Sequence, residues 1–438
     1  MNSVEGPPPG VPSPPGVPGA PGVPEPSGLD PLKAFEESLE QLEEPPQPPG
    51  VSTVQTDVHS KDGLAKCPRC GSTEIALNPA TGMLHCSFCR FEWSGEAALE
   101  GYELDGPIAD LVGLVLGSGS GDIIPSTETV LTFKCSACGA EVVIDTDESM
   151  QARCHWCRNK LSMNEQIANG AVPDMVLPFK IPKADAVQTI SAFVKKRKFF
   201  ASRKFTAEFN PENVMGVYFP YMVVDVNAKA SFSGEGEHET RSYTVKSGDN
   251  DERRYDADTY KVARKFAVHI DDLTVESSSA RLDQNTKRNT NNIINSILPF
   301  DVENSVKYDS NYLAGFSSER RDVNVDELME LVTEQSQDVA RYSALDSLQF
   351  YDRGVRWDQE DFEVVGQRWV SAYLPVWLYS YQEVKGQKKL LHYVAVNART
   401  GEVMGSVPIN QKRLLLASAG VELVGIVLFF LYVILIGF

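Results

Sequence analysis

Apolar residues change their spacing several times along this chain, and the changes mark out its elements. Val187, Ile190, Phe193 and Val194 fall on one side of a helical turn pattern, which predicts a helix over 184–196. The segments GVYFPYMVVDV (216–226) and DTYKVARKFAVHI (258–270) alternate as half-buried strands do, with a turn signal, SGDND, at 247–251. Helices are expected near 289–297 and over 325–341, and strands over 373–384 and 390–397. A turn at 397–401 then leads to a last strand at 402–408. This order of elements predicts an α+β domain with antiparallel sheets across 176–410.

Two motifs recur within that domain in one order. Leu177-Pro178-Phe179 returns as Leu298-Pro299-Phe300, and Tyr218-Phe219-Pro220-Tyr221-Met222 as Tyr373-Leu374-Pro375-Val376-Trp377. In each half a helix separates the LPF motif from the aromatic-proline strand. That suggests an internal duplication over 176–275 and 297–409, although the gaps within the two halves are unequal.

The last stretch, 414–438, reads LLLASAGVELVGIVLFFLYVILIGF and is apolar apart from Glu422. At about 1.5 Å per residue, a helix of this length crosses a hydrocarbon core of about 30 Å. Lys412 and Arg413 stand just before it. Basic residues favour the cytoplasmic flank of a membrane helix, so the expectation is a single-pass, tail-anchored protein of the cell membrane with residues 1–413 in the cytoplasm. Glu422 is costly inside a bilayer unless it is protonated, reaches the interface or faces another helix. Ala417, Ala419, Gly420 and Gly425 leave one face small enough for close helix contact and hence a homo-oligomer. The equal alternative is a span that begins near Glu422, with 414–420 lying in the interface.

The other end has little to bury. Residues 7–26, PPPGVPSPPGVPGAPGVPEP, favour polyproline II, better suited to a semi-rigid spacer than to a docking arm. Within this arm, 30–44 (DPLKAFEESLEQLEE) has a capping Asp30, a first-turn Pro31 and an apolar face of Leu32, Phe35, Leu39 and Leu42. Apart from that short helix, residues 1–60 are expected to be a disordered, acidic arm. The whole chain of 438 residues carries a formal net charge of −19. Such a chain is repelled by nucleic-acid phosphates and anionic lipid headgroups unless it has a local basic patch, which disfavours nucleic acid as a partner.

The eight cysteines all lie between Cys67 and Cys157, in CxxC pairs. Cys67, Cys70, Cys86 and Cys89 form one quartet, and Cys135, Cys138, Cys154 and Cys157 form another with the same spacing. Each CxxC turn supplies two thiolates, and two turns complete a tetrahedron, so each quartet predicts a zinc ribbon (61–94 and 131–165) and two Zn2+ per chain. Iron binds the same four thiolates, and spacing alone does not separate the two metals. Gly71 and Gly139 suit the positive φ that follows a first CxxC, while 78–82 and 145–148 are candidate hairpin turns. His85 and His155 are surplus to full tetrahedra. Between the ribbons, 95–130 reads as a linker with an apolar, helix-like stretch at 108–116 and a flexible GSGSGD at 117–122. That glycine run lacks the Lys-Ser/Thr of a phosphate-binding loop, and no HExxH or GxSxG is present, so the expectation is a protein that is not an enzyme.

The first quartet, CPRCGSTEIALNPATGMLHCSFCRFEW, resembles the ribbon of the general transcription factor TFIIB, which implies contact with polymerase or nucleic acid. The balanced charges around it (Lys66, Arg69 and Arg90 against Glu74 and Glu92) supply no basic stripe, and favour protein docking instead. FKCSACGAEVVID (133–145), LPFKI (177–181), GVYFPYMVVDV (216–226), LPFD with YDSNYLAGFSSER (298–320), YLPVWLYSY (373–381) and YVAVNARTGEVMGSVP (393–408) resemble a bacterial family of TFIIB-type zinc-ribbon membrane proteins. The resemblance implies a membrane anchor that recruits phage-shock protein A-like or SPFH-like partners during envelope stress. The Pro-rich arm, the extra first ribbon and the single terminal span depart from that pattern. The alternative is a membrane-tethered regulator that binds nucleic acid or RNA polymerase through its ribbons.

Overall fold

A computed structural model describes residues 50–56, 66–123, 130–134, 141–145, 151–153, 160–162, 172–247, 250–278, 295–319, 321–385 and 388–436. The Pro-rich arm, the helix expected at 30–44, most of the one near 289–297, Gly139, His155 and the ligands Cys135, Cys138, Cys154 and Cys157 lie outside them. The chain begins with β1 (Val51–Val54), then β2 (Ile75–Asn78), β3 (Met83–Cys86), β4 (Glu92–Trp93), the short helix α1 (Ala98–Gly101) and β5 (Gly113–Gly117). Four short strands follow: β6 (Val130–Lys134), β7 (Glu141–Asp145), β8 (Gln151–Arg153) and β9 (Lys160–Ser162). The body comprises β10 (Met175–Val176), α2 (Lys183–Arg197), α3 (Arg203–Glu208), β11 (Met215–Ser247), β12 (Asn250–Glu276), β13 (Val306–Lys307) and β14 (Ser317–Ser318). It closes with α4 (Val325–Ala344), β15 (Val355–Lys385), β16 (Lys388–Asn397) and β17 (Val403–Gly405), and α5 (Gln411–Ile436) comes last.

Among the described residues, ten of these strands form one sheet around two long central ones, β11 and β15, which pair antiparallel from Met215↔Leu378 to Gly236↔Val355. The aromatic-proline motifs face each other across this ladder: Tyr218 opposes Pro375, Phe219 opposes Leu374, and Pro220 opposes Tyr373. The match extends to the outer edges. β14 pairs with β11 at Val217 and Tyr218, and β12 takes over at Tyr221. At the corresponding positions of β15, β10 pairs at Ala372 and Tyr373, and β16 takes over at Val376. Glu319 N–H donates to Tyr218 O (3.0 Å) and Leu177 N–H to Tyr373 O (2.9 Å), again at matched positions. Each half therefore lends a short strand to the other half's long one, about an approximate two-fold axis at Phe219–Leu374. Proline has no N–H for a ladder. Pro220 and Pro375 both fall in the gap where the outer neighbour changes, so no ladder donor is lost there.

Helix α2 buries Ala186, Ile190, Phe193 and Val194 against Phe179, Tyr218, Trp377 and Val394. Helix α4 buries Val325, Leu328, Leu331 and Val332 against Val262, Val268 and Trp369. Phe179 of the first LPF motif sits among aromatic rings, stacked 4.3 Å from Phe316 and edge-on to Tyr218 (5.0 Å) and Trp377 (4.9 Å). Arg399 joins the two LPF motifs. It donates to Asp301 from Nε (2.8 Å) and Nη2 (2.7 Å) and to Pro178 O from Nη1 (3.2 Å).

The observed fold departs from the sequence expectation in several places. The sheet is mixed rather than antiparallel, because β1, β5, β10 and β14 arrive by crossovers instead of hairpins and add in parallel. The arm expected over 1–60 ends in a strand, β1, that pairs with β5. The stretch 108–116 is not helical: a 3-10 turn at Ile108–Asp110 leads into β5. Gly113, at φ +73 with Gly50 O 2.5 Å from where a Cβ would stand, makes that close approach to the strand's neighbour feasible. In the second cysteine region β6 pairs with β7 and β8 with β9, and the turn expected at 145–148 lies, apart from Asp145, outside the described residues.

Candidate metal centre

Two backbone turns of one design hold the first quartet. In the first, Cys67 N–H donates to Ser72 O (2.8 Å) and Gly71 N–H to Cys67 O (2.9 Å). In the second, Cys86 N–H donates to Phe91 O (2.9 Å) and Arg90 N–H to Cys86 O (2.9 Å). The fifth residue of each turn has positive φ, +72 at Gly71 and 59 at Arg90. Sequence identifies the first through its glycine; the second is filled by an arginine and leaves no such mark. Strands β2 and β3 pair from Ile75↔Cys86 to Asn78↔Met83 and bring the two turns together, and residues 78–82 make the turn as expected.

The four sulfurs converge. Cys67 Sγ lies 3.6 Å from Cys89 Sγ, Cys70 Sγ 3.6 Å from Cys86 Sγ, and all four lie within 4.8 Å of one another. A disulfide requires about 2.05 Å, whereas a tetrahedron of metal–sulfur bonds of about 2.3 Å has edges near 3.8 Å. This Cys67/Cys70/Cys86/Cys89 cluster could therefore hold a metal ion. Electrostatics agree. Burial opposes ionisation of Cys86, but the N–H groups of Cys89 and Phe88 and the thiols of Cys70 and Cys89 outweigh it and lower its pKa to about 6. For Cys70, the Ser72 N–H favours the thiolate, yet desolvation and the neighbouring Cys89, Cys86 and Cys67 push it up to about 12. Four adjacent sulfurs cannot all ionise without a counter-charge, which a divalent cation supplies.

Cys67, Cys86, Ile75, Leu77 and Leu84 share a buried cluster with Phe179, Tyr312 and Ile190, so this module packs directly on the body. Gly95 N–H also donates to Tyr312 Oη (2.9 Å). His85 is not among the converging ligands, as its surplus position implied.

Two polar clusters escape a sequence reading. Asp174 is fully buried and accepts from Gly119 N (2.6 Å), Ser120 Oγ (2.9 Å), Ser371 N (2.7 Å) and Thr56 Oγ1. Burial raises its pKa against these bonds. The GSGSGD run at 117–122 is thus no flexible linker: a side chain at Gly119 would collide with Val172 O at 2.6 Å, and the missing side chain lets the backbone reach the carboxylate. The second cluster is Asp225, Asp271 and Asp272, also within 4.8 Å of one another. Arg368 already occupies it, donating to Asp225 Oδ2 from Nε (2.8 Å). Burial, followed by the charges of Asp271, Asp225 and Glu303, pushes Asp272 up to about 7.

Helix α5 is the one described helix long and apolar enough to cross a membrane, and its large apolar side chains from Val421 to Tyr432 are exposed. At its start Arg413 Nη1 donates to Phe199 O (3.0 Å), and Asn410 N–H donates to Phe200 O (2.7 Å). Lys412 is exposed beside it, and Glu422 stands exposed about three turns in.

No protein-family model matches this chain, and no solved structure matches it. It is similar to a protein of Bacillus subtilis (strain 168) described as the uncharacterized protein YdjG, with 22% identity over 257 residues, covering 56% of this chain and 67% of that protein.

Proposed function

We propose that this chain is a non-enzymatic membrane adaptor. In this reading two zinc ribbons and the sheet body face the cytoplasm, α5 spans the cell membrane, and the body recruits protein partners to the inner face. Four thiolates close the coordination sphere of each zinc and leave no position for substrate, so the metal is structural. The resemblance to zinc-ribbon membrane anchors suggests phage-shock protein A-like or SPFH-like partners and a role in envelope stress.

The observation that carries this reading is the junction between body and helix. A cysteine module packed on the body and an exposed apolar helix belong to one continuous structure, tied by Arg413 and Asn410 to the segment after α2. The test is co-expression with a phage-shock protein A-like or SPFH-like protein. The partner should move to the membrane fraction with the full chain and stay soluble with a chain lacking 414–438. A partner that stays soluble in both cases would reject the adaptor role. Metal analysis of the purified chain should return two zinc equivalents.

A further inference from the structure

We infer that the turn joining α2 to α3 is a binding site for anionic phospholipid headgroups of the leaflet that α5 enters. This rests on the membrane anchoring proposed above. The turn reads KKRKFFASRK (195–204): six basic residues and no acidic one, in a chain of net charge −19. Lys195, Lys196, Lys198, Arg203 and Lys204 are all exposed, and the nearest carboxylate contact is Glu208, 3.9 Å from Lys204 Nζ. This is the local basic patch without which an acidic chain would be repelled from anionic lipid.

The position of the patch decides its partner. Ser202 N–H donates to Pro408 O (2.7 Å), Ala201 bridges to Ile409, and Asn410 and Arg413 bond to the carbonyls of Phe200 and Phe199. The turn is therefore fastened to the residues that lead into α5. The 26 residues of α5 exceed what a core of about 30 Å needs, so its first turn lies at the polar–apolar boundary of a bilayer. Phe199 and Phe200 reach the same level and are 65% and 39% exposed. Exposed aromatic rings between lysines suit that boundary: the rings enter the acyl region while the ammonium groups stay among the phosphates.

Two concavities flank the turn. One, of about 400 Å³, is lined by Lys196, Arg197, Phe200, Ser406, Val407 and Ile409, and so offers two cations and a hydroxyl to a phosphodiester, with apolar wall beside them. The other, of about 440 Å³, lies between Phe199, Arg413, Leu416 and Ala417, where a lipid chain would run along the helix. Duplex nucleic acid fits less well, because the phenylalanines and the bilayer would occupy its path.

The experiment uses the full chain in detergent micelles with equimolar palmitoyl-oleoyl phosphatidylglycerol and phosphatidylcholine, and counts retained lipid by native mass spectrometry. The wild type should retain phosphatidylglycerol at least tenfold over phosphatidylcholine. Each basic group near an anionic surface is worth about fivefold, so the exposed triple substitution Lys195→Gln, Lys196→Gln, Lys198→Gln should bring the ratio below threefold with thermal stability unchanged. Phe199→Ser should reduce total retained lipid. An equal ratio in the wild type, or a ratio that survives the triple substitution, overturns the inference. Binding of a 20-base-pair duplex that depends on the same lysines, without a lipid preference, also overturns it. Carbonate extraction of cell membranes separates the two levels: a chain released to the supernatant refutes anchoring, whereas an integral chain without lipid preference refutes only the headgroup site.

Discussion

Asp272 occupies a left-handed backbone position, φ 56, with a carboxyl pushed up to about 7 by burial and then by neighbouring carboxylates. Its folded pKa lies above the unfolded value of 3.8, so the folded state holds the proton more tightly. Stability from this group is therefore lost as pH rises from about 4 to about 7. Asparagine tolerates the same backbone and cannot ionise. The melting temperature of Asp272→Asn should rise relative to wild type between pH 5.5 and pH 8, and a constant difference would show that Asp272 titrates normally. Arg399 permits a second test. Its side chain is 7% exposed and bonds Asp301 and Pro178 O together. Arg399→Ala leaves a charge and a carbonyl without their partner and should cost about 3 kcal/mol in chemical unfolding, with Arg399→Lys in between. Neither role is legible in the sequence, where Asp272 is one of many acidic residues and Arg399 one residue of a surface turn; each depends on residues distant in the chain. Gly71 was legible because its conformation leaves a compositional trace, and Arg90 was not, because arginine carries none.

At the scale of elements, periodicity located α2, α4 and the strands of the body, since their apolar faces recur at fixed intervals. It misread the segments around β1 and β5. Those strands are short, and what fixes them is a buried carboxylate that no local pattern announces. Asp174→Ala should remove the acceptor that Thr56, Gly119, Ser120 and Ser371 share and loosen both segments. Hydrogen exchange at 51–54 and 113–117 should accelerate at least tenfold while the centre of β11 stays protected. Uniform acceleration across the body would instead mean that Asp174 supports the whole fold.

Across the whole molecule, the spacing of Cys67, Cys70, Cys86 and Cys89 was the most legible feature, because bringing four sulfurs together constrains sequence directly. The packing of that module was not legible, as it depends on Phe179 and Ile190 from elsewhere in the chain. A free-standing ribbon would lose its metal without consequence for the body. Since Cys67 and Cys86 share the body's core, chelation or Cys86→Ser should lower the melting temperature of the body as a whole. An unchanged transition by near-ultraviolet circular dichroism would instead mean that the module folds independently of the body.

The exchange of short strands between the two halves bears on how the chain is made. A chain synthesised as far as Ser278 holds all of β11, 33 residues long, and the β12 that pairs along one side of it. The opposite side awaits β15, which ends at Lys385, shortly before α5 begins at Gln411. A long open edge of this kind invites pairing with the wrong chain. Completion of the body therefore nearly coincides with the appearance of an exposed apolar helix, so two aggregation hazards fall within one short interval of synthesis.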